Sequence, residues 1–131
     1  MSVDTICDRS LETVPKALAA GVVDMGTGML LGVKTTDSHP QAVLDMLAAA
    51  TKDLFEGDMV MNIENTFKKS RGDTSSAHYF KEIIVNSENL IHVFGRLKSS
   101  PNVVVTVVTR ISANLGLVVT KFREIVDSDS I

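Results

Sequence analysis

Tryptophan is absent from this chain of 131 residues, tyrosine occurs once, and aromatic residues make up only 5%. Positive charge is not in excess either, since 13 Lys and Arg face 16 Asp and Glu for a formal net charge of -3. A base-stacking platform is therefore poorly supported, and no general electrostatic pull toward nucleic acid or an anionic membrane is expected. Cysteine occurs once, as Cys7, which excludes an intrachain disulfide and suits a reducing, cytoplasmic setting. Long apolar runs are also missing. The most β-rich stretch, VVVTVV at 103–108, falls far below the roughly 18 residues of a membrane-spanning helix. Asp4, Asp8, Arg9 and Glu12 interrupt residues 1–15, so no secretory leader and no membrane insertion are expected.

What is present suffices for a core. With 44% hydrophobic residues over this length, a single domain spanning 1–131 needs neither metal nor disulfide to fold. Val3, Ile6, Cys7 and Leu11 share one side of a short helix over residues 2–13, which Pro15 discourages from continuing. ALAAGVVDM, the turn at Gly26-Thr27-Gly28, and MLLGVKT then read as a β-hairpin of small and branched residues.

A helical segment follows, with Ser38 as its cap and Pro40 in its first turn, running to about Lys69. Val43, Leu44, Leu47, Ala50, Leu54 and Phe55 recur at helical spacing, and Met59, Ile63 and Phe67 continue in steps of four. One continuous helix of that length would be on the order of 45 Å long, against about 24 Å for the width of a five-stranded sheet. Part of it overhangs unless it breaks near Gly57. Its apolar arc, with Met46, Met59 and Met61, is also broader than one sheet face needs, which leaves two readings: gap-filling core or a second contact surface.

Beyond Arg71 and Gly72, AHYFKEIIV, LIHVFGRLK and VVVTVVT, joined by the turns NSEN and SSPN, form a three-stranded meander. Ile91, Val93 and Leu97 alternate with His92, Arg96 and Lys98, while the last strand is apolar on both faces and belongs mid-sheet. SANLGLVVTKFREIVD ends the chain as a helix, with Ser112 as a cap and Leu115, Val118, Val119, Phe122 and Ile125 or Val126 on one face. The element order is α-β-β-α-β-β-β-α.

Catalytic signatures are lacking. Gly26, Gly28 and Gly32 lie in a strand-turn-strand region without the helix or the Gly-Lys-Ser/Thr ending of a phosphate loop, so they read as glycines for positive φ in the turn and, at Gly32, for close packing. His39, His78 and His92 show no metal-ligand spacing with one another or with Cys7, although His78 and His92 have the option of meeting across the meander. Lys68, Lys69 and Arg71 suit the carbonyl end of a helix better than an anionic partner. No cofactor, no metal and no hydrolysis of nucleotide, ester or peptide is expected.

The element order, with AAGVVDMGTGMLLGV near the start and SANLGLVVTKFREI at the end, resembles the roadblock family of dynein light chains and bacterial gliding-motility regulators. The carrying residues include the V-V-D strand ending, the glycine loop after it, and Ser112, Asn114, Leu115 and Gly116 at the last helix. The resemblance implies an α/β fold of the longin or profilin kind, with one five-stranded antiparallel sheet between helices and the strands at about 17–24 and 103–109 as interior neighbours. It also implies homo- or heterodimers that act by contact on small Ras-like GTPases or motors. Profilin-like folds of this size also enclose pockets, so a small-molecule sensory or catalytic module is the competing expectation. In the family order the strand at about 78–85 is an outer one, free of proline and lightly charged, so a homodimer is expected there and along the long helical segment. Its interface would use Met59, Ile63, Phe67, His78, Phe80, Glu82 and Ile84.

Overall fold

The run Val103–Arg110, with valine at five of its eight positions, occupies the centre of a five-stranded antiparallel sheet in the computed structural model, which describes residues 2–37, 41–75, 78 and 80–131. The elements are α1 (Val3–Thr13), β1 (Ala17–Asp24), β2 (Leu30–Thr35), α2 (Gln41–Glu56), α3 (Asp58–Arg71), β3 (Glu82–Asn86), β4 (Leu90–Arg96), β5 (Val103–Arg110) and α4 (Leu115–Ser128). Across the sheet the strands run β2-β1-β5-β4-β3, so β1 and β5 are the interior neighbours expected from their low polarity. Their register sets Val22 against Val105 and Ala20 against Val107.

The two faces are covered very differently. On one, α1 and α4 bury Ile6, Cys7, Val118, Phe122 and Ile125 against Val22, Ile91, Val93, Val105 and Val107. Burying that many branched and aromatic side chains, at about 1.5–3 kcal/mol each, makes this the stabilising half of the molecule. Gly32 admits α1, for a Cβ there would stand 2.4 Å from Val3 Cγ1, and Gly28 takes the positive φ of the β1–β2 turn. On the opposite face a smaller cluster joins Phe55 and Ala48 of α2 to Val23, Met25, Phe94 and Val104.

The break near Gly57, left open by the sequence, is present: Gly57 has ψ 162°, and although its N–H still bonds the Asp53 carbonyl and its own carbonyl already accepts from Met61, the chain turns there into α3. Two expectations are corrected. The outer strand begins at Glu82 rather than near 78: just before it the Lys81 carbonyl accepts from the Arg96 N–H and the Phe80 carbonyl from Arg96 Nε. Asn114, not Ser112, caps α4 by accepting the Leu117 N–H at 3.0 Å, while the Ser112 hydroxyl is engaged by Lys16 Nζ. The proposed cap Ser38, together with His39 and Pro40, lies outside the described residues.

Candidate interaction surface

Helix α3 buries only Glu64 among its residues, and Met59, Ile63 and Phe67 line its outer side, with Met59 72% exposed. Spacing of four puts these three on one stripe. On α2 Met46 is 70% exposed, while the exposed parts of Val43, Leu47 and Leu54 line a slot between the helix and the sheet. A water-facing apolar stripe of the kind on α3 is uncommon in a chain that works alone. At the sheet edge, Ile84 and Val85 of β3 are also exposed, and among the described residues β4 is the only strand paired with β3.

The other three residues expected at the interface also make contacts within the chain. His78 turns inward between the carboxylates of Glu56 and Glu64, at 3.8 and 3.5 Å. Phe80 packs partly buried against the Phe55 and Phe94 cluster. Glu82 is held by two hydrogen bonds from the Arg123 guanidinium of α4, at 2.9 and 2.7 Å. The structure thus brings Met59, Ile63 and Phe67 together on α3, keeps Ile84 on the open edge, and draws His78, Phe80 and Glu82 into intramolecular contacts.

Arg96 organises the ground beneath this surface. Sequence alternation places it on a polar face, yet its side chain is 4% exposed and pairs with Glu56 at 2.8 Å. It also donates to the carbonyls of Phe80 and Pro101 and lies over the Phe55 ring, so it ties the last turn of α2 to the sheet and to the segment entering β3. A guanidinium at a helix carbonyl end is favoured by the helix dipole as well as by the carboxylate. Neither alternation nor composition signals this role, because Glu56 is forty residues away in sequence.

The remaining chemistry-bearing residues have structural explanations. Lys68, Lys69 and Arg71 form the last turn of α3, where Gly72 at φ 66° closes the helix and Arg71 covers Phe67. Cys7 lies in the core, and burial, followed by the nearby Asp4, pushes its thiol up to about 11, far from a thiolate nucleophile. Among the described residues no group of His, Cys, Asp and Glu is arranged to hold a metal ion. No helix among them is long and apolar enough to cross a membrane.

His92 and His78 do not meet. His92 pairs in register with Val85 and Val108 and stacks beside Phe94, four residues, about 13 Å, along β4 from Arg96. Burial holds its imidazole below the ordinary 6.5. The folded protein then binds that proton less readily than the unfolded chain, so His92 costs stability as pH falls below 6.5 and is without effect above it. Urea unfolding of His92→Phe should accordingly show a shallower loss between pH 7 and 5 than wild type; identical pH profiles would dismiss the effect.

Between α2 and the open part of the sheet lies a slot of about 670 Å³. Lys52 Nζ, bonded to the Met25 carbonyl at 2.7 Å, Phe55 and the Arg96–Glu56 pair fasten the C-terminal half of α2. Towards its N-terminal end the helix stands off, since only Ala48, Thr51 and Phe55 are buried along its length.

No protein-family model matches the sequence, and neither does any curated protein. Solved structures do. Myxococcus xanthus MglB matches at TM-score 0.69 and 18% identity, over 95% of this chain and 89% of that one. The chain has the roadblock/LC7 fold. A Roadblock/LC7 domain from Streptomyces avermitilis matches over 96% of this chain and 92% of its own, with TM-score 0.66 and 15% identity. An MglB described with a tetrameric arrangement matches at TM-score 0.71 and 16% identity, over 96% and 83% of the two chains. At such identities the shared property is the roadblock/LC7 architecture, and surface residues are free to differ.

Proposed function

We propose that this protein works by contact rather than catalysis, as a homodimer that regulates or scaffolds a small Ras-like GTPase or a related switch. The observation that carries this reading is the exposed apolar stripe Met59, Ile63 and Phe67 on α3, with Met46 exposed on the preceding α2. A two-fold axis beside β3 would pair the open edge with its copy, extend the sheet, and cover that stripe with like surface. His78, Phe80 and Glu82 support the surface from behind rather than meeting the partner. The roadblock/LC7 fold and the sequence resemblance favour a GTPase or motor as the further partner, and the absence of a catalytic signature in the sequence favours regulation over turnover.

Size-exclusion chromatography with light scattering tests the dimer. Wild type at micromolar concentration should have twice the 14.1 kDa of one chain. Folded Ile63→Glu, which sets a charge in the apolar stripe, should shift towards the single-chain mass with association at least tenfold weaker. A monomeric wild type would refute the dimer, and a folded Ile63→Glu dimer would move the interface elsewhere. For the switch, nucleotide hydrolysis or exchange by a GTPase recovered with the protein from its native cells should change when wild type, but not Ile63→Glu, is added.

A further inference from the structure

We propose that the slot beneath α2 is a binding site for an uncharged, largely apolar small molecule carrying one hydroxyl or carbonyl group. Its size and shape give the first reason. About 670 Å³ lies well within the range of small-molecule sites, whereas a helix about 10 Å across would fill it with roughly one and a half turns. A partner helix would cover its mouth; it would not fit its interior.

The floor is hollowed by small side chains. Ala19 and Gly21 of β1 sit beside Thr106 and Val108 of β5 and His92 of β4, and Leu44 and Leu47 of α2 form the roof. At Gly21 the Thr106 methyl already takes the space, since a Cβ there would stand 3.3 Å from Thr106 Cγ2. The hollow therefore comes from the short side chain of Ala19 and from the stand-off of the helix. Burying apolar surface against such an apolar hollow favours an apolar occupant.

Charge and hydrogen bonding narrow the chemistry. Among the described residues of the lining Asp37 alone carries a charge, and it is negative, so none of them would balance a carboxylate or phosphate. The register pairs His92 with Val108 and Phe94 with Thr106, which makes His92 and Thr106 diagonal neighbours on one face, about 7 Å apart. Thr51, by contrast, already donates to the Leu47 carbonyl at 2.8 Å. Neither the Thr106 hydroxyl nor the His92 ring takes a hydrogen bond from another described residue, so together they offer a donor and an acceptor to one oxygen of a ligand.

The test uses the fluorescent amine N-phenyl-1-naphthylamine as an uncharged probe, with 1-dodecanol and dodecanoate as competitors, on the full chain. Wild type should bind the probe saturably at one per chain, and dodecanol should displace it at least tenfold better than dodecanoate. Ala19→Leu, or Val108→Phe if the first variant does not fold, should reduce probe affinity at least tenfold. Thr106→Val keeps the shape of the side chain and should weaken dodecanol several-fold while leaving the probe unchanged. Ile63→Glu, which addresses the proposed dimer, should leave probe binding intact, so the two ideas fail separately. Absence of saturable binding, full binding by both folded filling variants, or equal competition by dodecanoate would overturn the proposal.

Discussion

Arg96→Met is expected to lower the unfolding free energy by about 3–5 kcal/mol, a cost on the scale of breaking a buried ion pair from one side. Methionine retains much of the aliphatic stem over Phe55 but leaves the Glu56 carboxylate half-enclosed without its cation, and strips the donors from the Phe80 and Pro101 carbonyls. Urea unfolding followed by circular dichroism gives the number. Adding Glu56→Gln should recover part of the loss, because it removes the orphaned charge; a double variant no more stable than Arg96→Met would show that the carbonyl bonds, not the charge pair, account for it. A single variant within 1 kcal/mol of wild type would mean that α2 is fastened mainly by Phe55 and Lys52.

Arg96 also marks where sequence reading stops. Strands β1 and β5 were legible because an apolar run with small residues has few places to go except the middle of a covered sheet, and they are paired there. Helix α4 was legible because Val118, Phe122 and Ile125 keep the helical period, although its cap moved two residues, from Ser112 to Asn114. Alternation on β4 correctly separated Ile91, Val93 and Leu97 from His92 and Arg96, but the second group faces α2 and the slot instead of open water. Period-two patterning tells which residues share a face, never what covers it. The start of β3 was misplaced for a related reason: His78 and Phe80 have strand-like neighbours in sequence, while their actual contacts, Glu64 and the Arg96 side chain, come from elements remote along the chain. The breadth of the apolar arc from Val43 to Phe67 did signal residues left exposed, and Met46, absent from the expected interface, is among the most exposed of them.

Phe122→Ala and Phe67→Ala, chemically the same truncation, should have opposite consequences. Phe122 is fully buried, its ring lying against the bare backbone of Gly95, where a Cβ would come within 2.7 Å of Cε2. Truncation there leaves a cavity between α4 and β4 and should cost about 3–5 kcal/mol of folding stability, with no change in association per folded chain. Phe67 is 42% exposed and contacts Arg71 on its own helix, so its loss should cost the single chain clearly less than the loss of the fully buried Phe122. Stability is best compared in the Ile63→Glu background, since association would otherwise add a concentration-dependent term. In the wild-type background Phe67→Ala should instead weaken the dimer at least tenfold, corresponding to the loss of one buried aromatic at an interface. If Phe67→Ala destabilises the single chain as severely as Phe122→Ala, α3 is packed more tightly than its exposure implies and its stripe belongs to the core. If it changes neither stability nor association, the interface must rest on α2 and the β3 edge, through Met46 and Ile84.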